Sequence, residues 1–328
     1  MLEFIIRRIL WTIPILFLVS LLAFAIIQAP PGDFVTALSA SLAERGEEVD
    51  MAQLEALRTR FGLDKPFIVQ YWKWISGVLV GDFGVSFEWR QPVSELIGER
   101  LGLSFILALA TILFTWALAL PIGIYSAVKK YTIGDYIVTT IGFIGLAMPN
   151  FLLALVLMYV GVVHLGNDVT GLFSPEYRNA PWSIAKCLDL LAHLWIPVVI
   201  LGTSATASII RIMRANLLDE LPKPYVTTAR AKGLSEFKVL VTYPVRVALS
   251  PFISTIGWMF PQIISGSVIV SIVLSLPTAG PLLLSSLKAQ DMYLAGSFVL
   301  LLSILSVVGM LVSDILLAIA DPRIRRKK

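Results

Sequence analysis

Six stretches of the chain, roughly 9–29, 101–128, 136–163, 192–212, 250–274 and 293–317, are each long and apolar enough to cross a membrane. No other feature constrains the fold as much. At ~1.5 Å of rise per residue, about 20 apolar residues match a ~30 Å hydrocarbon core. Only 15% of the 328 residues are charged and 57% are hydrophobic, with a mean hydropathy of +0.83. Soluble domains carry about 25% charged residues. The expected fold is therefore all-α, a polytopic membrane bundle of about six transmembrane helices.

The first stretch follows Arg7 and Arg8 and mimics a secretory signal. It is longer than the ~7–15 residues of a signal's apolar region, so it reads as an uncleaved first helix. The fifth stretch belongs to an uncharged run from Val247 to Leu287, too long for one helix. Pro277, Gly280 and Pro281 predict a non-helical or re-entrant segment at its end.

Basic residues orient the bundle. With the N-terminus inside, Arg7, Arg8, Lys129, Lys130, the 211–246 loop and the tail Arg323, Arg325, Arg326, Lys327 and Lys328 place 16 of 26 Lys and Arg residues in the cytoplasm. An even span count puts both termini there. The tail favours the anionic inner leaflet. The net charge of +4 sits in short groups beside apolar runs, which is not a nucleic-acid footprint.

The expected organisation is an N-terminal end with the first helix (1–29) and an external subdomain (30–100). A transmembrane core (101–320) follows, with a cytoplasmic loop over 213–247, and then a basic tail (321–328). Within the subdomain, Val49, Leu54, Leu57 and Phe61 predict a short amphipathic helix over 49–61, ended by Gly62 and Pro66. GDFGVSF (81–87) reads as turn-rich, and YWKW (71–74) as packed or interfacial.

Several chemistries are disfavoured. The sequence holds no GxxxxGK[ST] phosphate loop, no GxGxxG, no HExxH and no Ser/His/Asp set. Cys187 stands alone, and His164 and His193 make no metal pattern and read as buried or interfacial. The spans lack the acidic relay that ion-coupled transporters need; His193 and Asp314 lie near span ends. Energy must come from outside the bundle, or the chain is a passive pore.

The segment RIMRANLLDELPKPYVTTARAKGLSEFKVLVTYPVR (211–246) carries the most information. Pro222 and Pro224 stop the preceding helix. Two short helices are predicted around Gly233, with Arg230, Lys232 and Lys238 on a solvated side. Such a small-residue helix is shaped for a partner's groove, although a plain basic loop would also satisfy the orientation rule.

YVTTARAKGLS (225–235) resembles the coupling motif of binding-protein-dependent ABC importer permeases of the dipeptide/oligopeptide type. Ala229 matches the motif's second alanine and Gly233 its glycine, while Thr227 and Thr228 replace the usual Glu-Ala. FIIRRIL, PPGD, FGLDKPFIVQYWKW, GDFGVSF, AMPNF (147–151), SLPTAGPLL (275–283) and DPRIRRKK extend the likeness along most of the chain. The resemblance implies a type I importer fold, a homologous second permease subunit, two ABC ATPase subunits and a solute-binding protein. It implies no cofactor on this chain, with ATP and Mg on the partners. Coupling would fall to Tyr225, Thr228, Ala229, Ala231, Lys232, Gly233 and Leu234, in a bacterial inner membrane.

One departure concerns cargo. Ser271 stands where peptide permeases often carry Glu, and Thr278-Ala279-Gly280 follow the proline. A neutral, hydroxyl-lined path would suit oligosaccharides as well as peptides. Asn150, Gln262, Ser265, Ser267 and Ser271 are the pathway candidates; hydroxyls that bond back to their own helix are the plainer alternative. Pro121, Pro149, Pro197 and Pro261 are expected to kink helices. A secondary transporter or channel acting alone, and a membrane scaffold, remain the alternatives from other classes.

Overall fold

The structure, a computed structural model, describes residues 2–46, 50–164 and 170–320. Regular structure among these residues is helical, apart from one isolated antiparallel bridge between Val85 and Pro92. Val49 and the basic tail lie outside the described residues. The chain divides into two compact units, Met1–Ser104 with Thr278–Val307, and Phe105–Pro277 with Val308–Lys328.

The first unit contains α1 (Leu2–Gln28), α2 (Phe34–Glu44), α3 (Met51–Phe61) and α4 (Phe67–Leu79). It also holds the start of α5 (Val93–Val128), α13 (Ala279–Lys288) and the first part of α14 (Met292–Ala320). The short amphipathic helix expected before Gly62 is α3. Asp50 caps its start by accepting from Ala52 N–H, and Gly62 ends it at φ +72°. Pro66 does not end α3 but precedes α4 as its N-cap.

YWKW is packed. Phe24 stacks on Trp74 at 5.6 Å, and the Trp74 indole donates to Ser297 Oγ at 3.2 Å. The turn-rich GDFGVSF segment bends at Gly81 and Gly84, both with positive φ, and delivers Phe87 onto Phe61 at 4.5 Å. Asp291, fully buried, anchors this turn: it accepts from Ser86 Oγ at 2.5 Å and from Glu88 N–H at 3.1 Å. Burial holds the Asp291 carboxyl above the ordinary carboxylate range, against these hydrogen bonds.

The second unit contains the rest of α5, α6 (Ile133–Ala147), α7 (Asn150–His164), α8 (Ile184–Glu220), α9 (Pro224–Ala231), α10 (Glu236–Thr242), α11 (Pro244–Ser254) and α12 (Ile256–Val273). Small residues let helices approach closely here. A Cβ at Gly123 would lie 2.8 Å from Met213 Cβ, and one at Gly257 would lie 3.1 Å from Met310 Cα. Ser313 Oγ also donates to the Ile253 carbonyl at 2.9 Å.

Among the described residues, α1, α5, α8 and α14 contain stretches long and apolar enough to span a membrane, and α6 with α7 forms a broken fifth, bent by 97°. These five correspond to the expected stretches 9–29, 101–128, 192–212, 293–317 and 136–163. In the remaining one, 250–274, the described part offers the shorter apolar helix Pro261–Val273. Pro149 sits at the 97° break between α6 and α7, while Pro121, Pro197 and Pro261 lie inside α5, α8 and α12. The break expected near Pro277 falls at 274–278, where Ser275 takes φ +53°. Gly280 and Pro281 lie instead in the first turn of α13, where a missing N–H costs nothing.

Candidate coupling site and polar cavity

The 37-residue α8 is about 55 Å long, nearly twice a ~30 Å hydrocarbon core. It ends where Pro222 and Pro224 interrupt the chain. Pro224 occupies the first position of α9, where its fixed φ suits a helix start. The Tyr225 hydroxyl donates to the Glu220 carboxylate across this corner, and Thr228 Oγ1 donates to the Pro224 carbonyl at 2.8 Å. Partial burial and then the Glu220 carboxylate push the Tyr225 hydroxyl up to about 12. The corner is thus a defined bend.

Two helices this short are unstable alone. They hold together through a small core of Val226, Ala229 and Val239, joined by Leu234 and Tyr243. Gly233 makes the turn between them at φ +78°, with nothing within 4 Å of the place a Cβ would occupy. Backbone conformation rather than space therefore calls for glycine. Arg230 Nε donates to the Glu236 carboxylate at 3.0 Å across the same turn.

The structure sorts the sequence candidates by face. Ala229 is only 3% exposed and packs inward, so its small side chain serves the approach of α10 to α9. Tyr225, Thr228, Ala231, Lys232 and Gly233 face outward, and Leu234 is half-buried. Phe237, 77% exposed, and Val241 were missed as surface residues. Their i, i+4 spacing opposite Val239 was the available signal. Leu240 packs against a second core formed by Ala127, Met213, Leu217, Val245 and Ala248. That contact ties the helix pair to α5, α8 and α11.

A ~240 Å³ cavity lies among α7, α8 and α12. Asn150 and Gln262 line it, together with Ser204 and Ser208, which sequence reasoning passed over. The serines stand one helical turn apart on α8. The lining carries no charge. The remaining candidates lie elsewhere. Ser267 is buried and donates back to the Ile264 carbonyl at 2.8 Å, Ser271 is fully buried, and Ser265 is exposed without lining the cavity. Because Ser271 is enclosed, the missing carboxylate at that position says nothing about the lining.

His193 Nδ1 lies 2.8 Å from the Asp189 carbonyl on the same helix, and His164 is exposed beside Tyr159. Cys187 is a free, exposed thiol. The helix pair presents an exposed surface, and the cavity offers uncharged amides and hydroxyls.

Several membrane-crossing helices, an uncharged polar cavity and a compact helix pair beyond a long helix define a multi-pass membrane permease. The family described as "binding-protein-dependent transport system inner membrane component" matches residues 119–326, and the N-terminal model of the same transport systems matches residues 1–108. The chain belongs to this family of ABC importer permeases. It is 38% identical to the oligopeptide transport system permease protein AppB of Bacillus subtilis, over 99% of both chains. It is 31% identical to the dipeptide transport system permease protein DppB of Escherichia coli and 32% identical to the glutathione transport system permease protein GsiC of the same species, each over the whole of both chains.

Proposed function

We propose that this chain is one of two homologous permease subunits of an ATP-driven importer that moves di- or oligopeptides across a bacterial inner membrane. Both termini and the 213–247 loop face the cytoplasm, and residues 30–100 face outward, where a solute-binding protein delivers cargo. Two ABC ATPases carrying ATP and Mg dock on α9 and α10. Residues Tyr225, Thr228, Ala231, Lys232, Gly233 and Leu234 form or shape that docking surface, and Ala229 holds it together from within.

The observation that carries this reading is the exposed α9–α10 pair, turned at Gly233 and joined through Leu240 to the core of α5, α8 and α11. A push on the pair therefore reaches α8, one of the helices that bound the cavity. Peptide cargo is supported by the names of relatives that align end to end with this chain. Amides and hydroxyls at Asn150, Gln262, Ser204 and Ser208 offer weak hydrogen bonds to a peptide backbone without holding it.

The test is reconstitution. Proteoliposomes holding the assembled importer and its binding protein should take up labelled peptide only with ATP. Gly233→Asp should abolish uptake while leaving membrane insertion intact. Uptake by this chain alone, driven by an ion gradient, would overturn the reading.

A further inference from the structure

A second cavity, ~350 Å³, lies between α6 and α8, well separated in sequence from the coupling turn. Its walls are apolar, with Val138, Gly142, Phe143, Ala207 and Ile210 among them. Its polar side is built by an ion pair between buried Asp135 and half-buried Arg214. Arg214 donates to the Asp135 carboxylate through Nη2 at 2.8 Å and Nε at 3.1 Å. Asp135 also accepts from Ser126 Oγ and from Tyr131 N–H, the latter at 2.9 Å. The network ties α5, α6 and α8 together and holds Tyr131 in a left-handed turn at φ +63°.

Asp135 and Arg214 neutralise each other, but two other cations flank the cavity. Arg211, one of its lining residues, lies 5.8 Å from the centre of the Phe143 ring, and Lys130 lies 5.7 Å from the centre of the Tyr131 ring. Neither has a carboxylate partner among the described residues. Both rings line the cavity, so each cation is held near it by a wall residue. Tyr136 adds an amphipathic ring, the type that settles at a membrane interface.

We propose that this cavity is a site for an anionic phospholipid of the cytoplasmic leaflet. Lys130, in the turn before α6, and Arg211, on the wall beside Phe143, lend the site the positive charge that favours an anionic headgroup, and the walls formed by Val138, Gly142 and Ile210 receive the start of an acyl chain. The combination of unpaired cations and apolar walls matches an anionic lipid, since a free phosphate would gain nothing from the walls and a zwitterionic lipid brings beside its phosphate a headgroup cation that Arg211 and Lys130 repel. The proposal rests on the orientation given above, which places the Lys129–Lys130 turn at the cytoplasmic surface. Lipid seated here would brace α6 against the helix that leads into the coupling pair.

The test uses the complete importer, purified in detergent, stripped of lipid and titrated with phosphatidylglycerol or phosphatidylcholine under native mass spectrometry. The wild type should retain phosphatidylglycerol at least tenfold better than phosphatidylcholine. Lys130→Gln with Arg211→Gln should bring the two lipids to parity, with subunit composition and melting temperature unchanged. Lys130→Gln alone, a surface change that cannot unfold the bundle, should lose part of the preference. Three results would overturn the site: no wild-type preference, an unchanged preference in the double variant, or competition by inorganic phosphate as effective as that by the lipid. Loss of the second permease subunit from the double variant, with lipid retention unaltered, would assign the cavity to a subunit interface instead. ATP-driven uptake is measured on the same preparation. Its absence in the wild type would count against the importer reading, whereas uptake without lipid preference would count against this site alone.

Discussion

The α9–α10 pair and the polar cavity both adjoin α8 yet are built in opposite ways. The pair has a tiny core, Val226, Ala229 and Val239, and turns most of its side chains outward. The cavity turns its polar groups inward and draws them from three helices distant in sequence. In the proposed importer the pair would dock, which needs a rigid local shape and a surface with one strong apolar contact, and the cavity would pass cargo, which needs several weak contacts and none that holds. In one case the determinants are neighbours in the sequence; in the other they meet only after folding.

This contrast can be broken at its most exposed point. Phe237→Asp removes an outward aromatic that touches neither core, so melting temperature should stay unchanged. An aromatic anchor at an interface contributes about 2 kcal/mol or more, so ATPase affinity should fall roughly 30-fold or further, measured by titration of the ATPases onto the permease pair. An unaltered affinity would move the docking surface away from α10.

Ala229→Leu attacks the pair from within. Overpacking costs about 1–3 kcal/mol, so the turn at Gly233 should become protease-sensitive and uptake should drop several-fold while the spans stay folded. Limited proteolysis followed by mass mapping reads this directly. Cleavage no faster than in the wild type would mean that Ala229 is not confined as described.

Gln262→Leu or Asn150→Leu changes the cavity alone. Each removes one weak contact worth about 1 kcal/mol, so the KM of peptide uptake should shift by roughly fivefold with ATPase docking unaltered. A change in docking would show that the two regions are not separable.

The smallest effect lies in the other unit. Burial holds the Asp291 carboxyl above its unfolded value of roughly 3.9. The folded form therefore binds the proton more tightly, so Asp291 stabilises most at acid pH and loses that contribution as pH rises through its raised value. The melting temperature of the wild type relative to Asp291→Asn should decline from pH 4 towards neutrality. A difference that stays flat with pH would remove the charge from the account.

What the sequence disclosed follows the same division. Apolar length predicted the spans, and Gly62 and Gly233 marked their turns because a positive φ leaves a local signature. The two short helices at 224–242 were legible for that reason. The spacing of Phe237, Val239 and Val241 separates two faces of α10, but which face is buried depends on α9 packing against Val239. Ser265, Ser267 and Ser271 were chosen for polarity alone, whereas Ser204 and Ser208, no different in kind, reach the cavity because of how α8 is rotated. The pairing of Asp135 with Arg214 left no local trace, since it joins residues on α6 and α8.

The central claim is that an ATPase seats on α9 and α10. Its most direct measurement is photocrosslinking from position 237, with Phe237 replaced by benzoylphenylalanine in the assembled importer. The account predicts an adduct of this chain with an ATPase subunit, whose peptide map places the link in a groove of that partner. Adducts confined to lipid, or to this chain itself, would contradict it.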